Sequence, residues 1–187
     1  MRLLGLDPGL RITGWGIIEA KGQHLRHVAN GKIVSDANFG ISERLVQLHN
    51  GIMQVLKDYK PEEAAVEETF VNSNPSSTLA LGLARGMALL APAQCGLSVS
   101  QYLPNKVKKS VVGAGHADKK QVQMMVERLL PGVTFACADA ADALAVAICH
   151  AHLRTTAAKW EAHDNKGQAN QGLSTLGGYK VYQRERR

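Results

Sequence analysis

This sequence has no long hydrophobic run. Nowhere in 187 residues do about 18 consecutive apolar residues occur to cross a bilayer, and Met1-Arg2-Leu3 leads into a short strand rather than a signal segment, so a cytoplasmic protein is expected. Cysteine is scarce as well. Cys95, Cys137 and Cys149 are odd in number and show no CxxC spacing, which argues against a disulfide framework or a zinc site and for small buried hydrophobes. Acid is missing from one long stretch: residues 69–117 contain no Asp or Glu, yet they carry Arg85, Lys106, Lys108 and Lys109, with Lys119 and Lys120 just beyond. Base is missing from another, since no Lys or Arg occurs between Arg128 and Arg154.

Acids stand where such neutralising neighbours are few. Asp7 ends the apolar run Leu3-Leu4-Gly5-Leu6, Glu67 follows Ala64-Ala65-Val66, and Asp139 and Asp142 punctuate an alanine-rich segment. A desolvated carboxylate without a partner costs several kcal/mol, so such groups are paired, protonated or bound to a cation. A divalent metal is the economical partner. Four converging carboxylates make an all-oxygen site suited to Mg²⁺ or Mn²⁺, and paired ions of this type serve phosphoryl transfer. Singly, each acid also has a plain reading as a turn former, a strand-end surface acid or a helix-start acid.

The net charge of +6 comes from 22 basic and 16 acidic residues, and its distribution matters more than its sum. Residues 151–187 hold seven Lys and Arg against three Asp and Glu, which leaves a nearly neutral body of 15 against 13. An acid-free basic surface beside an acid cluster suggests a polyanion lying across a metal site.

Periodicity supplies the scaffold. Strands are predicted over 2–7, 13–20 and 24–35 as an antiparallel meander, then over 63–68 and 97–102. Ser42 is expected to cap a helix with Leu45, Leu48, Ile52 and Val55 inward. A second helix over 76–91, limited by Pro92, carries the stripe Leu79, Leu83, Met87 and Leu90, with Gly82 and Gly86 permitting a close neighbour. Pro104 opens a brief helix, Asp118 caps another bearing Val122, Met125, Val126 and Leu129, and residues 139–157 form the last. From 158 to 187 the pattern dissolves into a basic, loosely attached tail. The class is α/β, a mixed five-stranded sheet flanked by helices in one domain over 1–157. Asp7 and Glu67 then lie at carboxyl ends of strands, and Asp139 and Asp142, three apart, share a helix face. His116, His150 and His152 are read as structural or exposed.

Six blocks in order, Leu6-Asp7-Pro8-Gly9 with Thr13-Gly14-Trp15-Gly16, Ala65-Val66-Glu67-Glu68-Thr69-Phe70, Gly82-Leu83-Ala84-Arg85-Gly86, Val107-Lys108-Lys109-Ser110-Val111-Val112-Gly113, and Ala138-Asp139-Ala140-Ala141-Asp142-Ala143-Leu144-Ala145, resemble the RuvC family of Holliday-junction resolvases over residues 1–153. The resemblance implies a ribonuclease H-like fold, a homodimer, and symmetric nicking of four-way junction DNA, with a RuvA–RuvB branch-migration complex as partner. By position it makes Asp7, Glu67, Asp139 and Asp142 the catalytic ligands of two Mg²⁺ ions, replaceable by Mn²⁺. It places Lys119 and Lys108 near the junction and gives Phe70 a ring that could stack on an unpaired base. Arg85, Lys106, Lys109 and Lys120 join them as candidate DNA contacts. The helix with Val122, Met125 and Val126, or that with Leu79 and Leu83, is expected to supply the subunit contact. Rival readings are a ribonuclease H, a non-catalytic junction binder, and an actin-like sugar kinase or ATPase, the last disfavoured by the chain's size.

Overall fold

The computed structural model describes residues 1–68 and 75–164. Ten elements follow one another: β1 (Arg2–Asp7), β2 (Ile12–Lys21), β3 (His24–Val34), α1 (Ile41–Tyr59), β4 (Glu63–Glu67), α2 (Pro75–Gln94), β5 (Ser98–Tyr102), α3 (Pro104–Val112), α4 (Lys119–Leu129) and α5 (Ala138–Asp164). The strands form one sheet in the order β3-β2-β1-β4-β5, antiparallel across the first three and parallel from β1 to β4 to β5.

Strand β1 lies in the middle, and the period of two decides what each residue meets. Leu4 and Leu6 join Ile17, Ala64 and Val66 in the core layer under α1, with Ala88 and Ala91 of α2. Leu3 joins Ile18 and Ala65 in the opposite layer under α3, α4 and α5. Alternation therefore turns Asp7 and Glu67 toward the α5 side.

That side is built for close approach. A methyl group on Gly5 would fall 2.0 Å from the Ala143 carbonyl oxygen, and one on Gly16 would meet the Leu144 side chain at 2.7 Å. Glycines on the strands and alanines on the helix let α5 lie against the sheet. Every residue from Ala143 to Ala151 is buried, which accounts for a helix apolar nearly all round its first half.

Several sequence expectations are corrected. Helix α1 is capped by Gly40, not Ser42, whose hydroxyl instead donates to Glu43 Oε2 at 2.9 Å. Helix α2 runs past Pro92 to Gln94, and its buried residues are Ala84, Ala88, Ala91 and Pro92. Leu79, Leu83 and Leu90 face outward, Leu79 being 67% exposed. Small side chains face inward because α2 packs close to α1, and the leucine stripe visible in the sequence is the outer face. Val122 and Val126 of α4 are buried in the α5-side core with Met125 packed against them, so they are not free for a partner subunit. Helix α5 continues to Asp164, through good helix formers that precede the first glycine at Gly167. Cys149 is buried, whereas Cys95 is exposed. The acidic N-cap Asp118 is as expected, with Gln121 completing a reciprocal capping box. Phe70 and the chain beyond Asp164 lie outside the described residues.

A candidate carboxylate-lined active site

Parallel pairing of β1 with β4 brings the two strands to their carboxyl ends together, Leu6 opposite Val66, so Asp7 and Glu67 emerge side by side. Asp7 belongs to a turn that is firmly held. Thr13 Oγ1 donates to the Gly9 carbonyl at 2.9 Å, Ser35 Oγ donates to the Leu10 carbonyl, and Arg44 Nε donates to Ser35 Oγ at 3.0 Å. From the other element, α5 crosses β2 at Gly14, where a methyl group would sit 2.0 Å from the Asp139 carbonyl oxygen. The first turn of α5 thus reaches the ends of β1 and β4.

A cavity of about 290 Å³ opens here, lined among others by Asp7, Glu67, Lys108, Lys119 and Asp142. Asp139 is absent from this lining but acts on Asp7 electrostatically. Desolvation by burial, then repulsion from Glu67, Asp142 and Asp139, pushes the Asp7 carboxyl up to about 8. Burial and then Asp142 raise Glu67 to about 7, against the opposing pull of its hydrogen bond with Asp7 and of Lys108 and Lys119. The cations present do not neutralise the acids. The carboxylates form a loose cluster: among the described residues, no three His, Cys, Asp or Glu side chains are grouped tightly enough to hold an ion as they stand.

Lys119 Nζ donates to Asp142 Oδ2 at 3.2 Å, and Asp142 holds its ammonium in the charged form. A lysine in the first turn of a helix opposes the helix dipole, so this position makes sense only through the acids it faces. Lys108, on α3, lines the same cavity. The remaining basic candidates are not brought into it. Lys106 is exposed with its ammonium 5.4 Å from the centre of the Tyr102 ring, Lys109 and Lys120 are exposed, and Arg85 donates from Nε to Gln101 Oε1 at 3.1 Å. His150 is structural: it is buried, with Nδ1 2.8 Å from Tyr102 Oη and Nε2 2.8 Å from Glu63, which Arg154 grips with two further bonds. The sequence reading missed Thr13, Ser35 and Arg44 as turn braces. The Thr13-Gly14 pair was visible, but Arg44 is far from the turn in sequence and carries no local signal.

A family model, crossover junction endodeoxyribonuclease RuvC, matches residues 3–150. The chain belongs to the RuvC family. RuvC of Paramagnetospirillum magneticum is 65% identical over 159 residues, covering 85% of this chain and 96% of that protein. RuvC of Rhodospirillum rubrum is 64% identical over 157 residues, covering 84% and 93%. Among solved structures, T. thermophilus RuvC in complex with Holliday junction substrate superposes with a TM-score of 0.78 at 32% identity over 84% of this chain and 96% of that one. The yeast mitochondrial Holliday junction resolvase, at 11% identity and a TM-score of 0.63, shares the fold.

RuvC proteins are metal-dependent nucleases. The residues present fit such an ion: the donors gathered at the cavity are carboxylate oxygens, with neither thiolate nor imidazole lining it among the described residues, and two of them carry a repulsion that a hard divalent cation relieves.

Proposed function

We propose that this chain resolves four-way DNA junctions by nicking two opposing strands symmetrically, leaving 5′-phosphate and 3′-hydroxyl ends that a ligase can seal. The observation that carries the reading is the meeting of Asp7, Glu67 and Asp142 with Lys108 and Lys119 in one cavity of a RuvC-family chain. Asp7, Glu67, Asp139 and Asp142 are the catalytic carboxylates and would hold two Mg²⁺, or Mn²⁺ in their place. The ions would supply activation of the attacking water and charge stabilisation at the leaving 3′ oxygen of an in-line displacement. Lys119, paired with Asp142, offers its remaining protons to the scissile phosphate, while Lys108 holds a flanking phosphate. Arg85, Lys106, Lys109 and Lys120 spread the acid-free surface on which the DNA backbone lies, and Phe70 meets an unpaired base.

Symmetric cutting needs two sites, and the reading includes a homodimer. The outward face of α2, with Leu79, Leu83 and Leu90 around Gly82 and Gly86, supports it: among the described residues nothing lies within 4 Å of a methyl group placed on either glycine, and large apolar residues lie exposed beside them. Residues 1–157 are the nuclease domain and 158–187 an appended basic tail. A RuvA–RuvB complex is the partner, and the cytoplasm the compartment.

The test is cleavage of a labelled four-way junction beside linear duplex and RNA–DNA hybrid, with Mg²⁺ and with chelator. Paired, ligatable nicks confined to the junction and dependent on metal are expected. Cutting of the hybrid alone would make the protein a ribonuclease H, and tight junction binding without cutting would make it a scaffold.

A further inference from the structure

Two of the four acids ride on α5, so whatever fixes the entry of that helix onto the sheet fixes their reach. One row of the sheet runs Gly5, Gly16, Asn30 across β1, β2 and β3. Helix α5 rests on its two glycines. At the β3 end of the row, Asn30 faces the segment that leads into α5, where residues 133–135 form neither helix nor strand.

Asn30 grips that segment through its amide group. Its Nδ2 donates to the Thr134 carbonyl at 2.9 Å, and its Oδ1 accepts from the Ala136 amide at 2.8 Å. The second Nδ2 proton points to His27 Nε2, also at 2.9 Å. Because the Ala136 N–H can only donate, the orientation of the side chain is settled, and both its hydrogens and its oxygen are engaged. A carboxamide paired in this way substitutes for a strand partner on a stretch of backbone that has none. It spans more than one hundred positions of sequence to end two residues before Ala138, where α5 begins.

We propose that Asn30 is a positioning residue for the metal centre: by clasping Thr134 and Ala136 it sets the entry of α5 and hence the distance from Asp139 and Asp142 to Asp7 and Glu67. The inference rests on the reading of these acids as metal ligands. Groups that orient ligands from outside the coordination sphere commonly govern metal affinity on the order of 10-fold to 100-fold.

Mn²⁺ alone, titrated calorimetrically into the full-length protein without DNA, reads this directly. Asn30→Leu keeps the side-chain size and removes all three bonds. Val55→Ala, in the core layer on the far side of the sheet, serves as a control for general loss of stability. Asn30→Leu is expected to weaken Mn²⁺ binding on the order of tenfold and to raise the metal concentration for half-maximal junction cleavage in parallel, with junction affinity in chelator unchanged. Val55→Ala should lower the melting temperature and leave the Mn²⁺ affinity alone. Equal Mn²⁺ affinity in Asn30→Leu and Val55→Ala overturns the proposal. Asp7→Asn separates the two levels: if it too binds Mn²⁺ as the wild type does, the ligand assignment fails, not the clasp. Should Asn30→Leu not fold, Asn30→Ser, too short to reach both backbone groups, is read by the same criteria.

Discussion

Gly14 and Asp139 compete for one space: a methyl group on Gly14 would lie 2.0 Å from the Asp139 carbonyl oxygen and 3.0 Å from its Cβ. The obstacle is helix backbone, which cannot rotate aside as a flexible side chain does. Strand β2 pairs Gly14 with Asp7 on β1, so the seat of Asp139 and the Asp7 carboxylate are neighbours in the sheet.

Gly14→Ala should therefore push the first turn of α5 off the sheet and separate the acids. Overpacking of this kind costs about 1–3 kcal/mol of stability. Cleavage should suffer more than stability does, because small displacements in a positioned site are expensive. Single-turnover cleavage at a temperature where the variant remains folded, with junction affinity measured in chelator, checks this. Full activity at unchanged affinity would show that the seat does not set the geometry.

Asp7→Asn should abolish cleavage and yet stabilise the metal-free protein at alkaline pH. The folded-state value of about 8 lies above the ordinary 3.8, so folding favours the protonated acid. That contribution is complete below the unfolded value and is lost as pH rises through the folded one. In chelator, the melting temperature of the wild type should thus fall between about pH 4 and pH 8 more steeply than that of Asp7→Asn. Added Mg²⁺ should raise the wild-type value and leave the variant nearly unmoved. Parallel melting curves across this range would mean that Asp7 is not held against its repelling neighbours.

Lys119→Met should separate chemistry from folding. The Lys119 side chain is 73% exposed, so its bond to Asp142 adds little to stability, within the range of about 0–1 kcal/mol for surface pairs. Cleavage should drop on the order of 10²–10³-fold if the lysine faces charge that develops in the transition state. A melting temperature near that of the wild type together with this loss in single-turnover rate is the expected pair of results. Unimpaired cleavage would reduce Lys119 to a counter-ion.

Much of this site could be read in the chain because acids at the ends of apolar strands are costly wherever the fold places them. Asp7 and Glu67 were visible for that reason, and Asp139 and Asp142 through their spacing on a helix. The antiparallel meander and the mixed sheet were legible too, while the order of the strands came only with the structure. What could not be read is contact between distant segments whose residues have no unusual local setting. Arg44 bracing the turn after Asp7 and Asn30 clasping Ala136 are polar residues in ordinary positions, and only the folded chain gives them partners. The inward face of α2 was not legible for another reason. Alanine carries a weak hydrophobic signal, so Ala84, Ala88 and Ala91 were outweighed by the leucines on the opposite side, although small residues are what close helix packing selects.

The same two faces bear on assembly, since either α2 or α4 was expected to supply the subunit contact. Met125 packs against the α5-side core beside Val122 and Val126, so Met125→Glu places a charge among buried apolar groups and should lower the melting temperature whatever the oligomeric state. Leu83 sits on the outward face of α2 between Gly82 and Gly86, and a charge there meets water in the monomer. Leu83→Glu should leave the melt of the isolated subunit little changed, yet convert a dimer to a monomer in sedimentation. It should also uncouple the paired nicks, since a single subunit presents one acid cluster to the junction. Sedimentation of Leu83→Glu as an intact dimer, with both strands still cut together, would move the subunit contact away from α2.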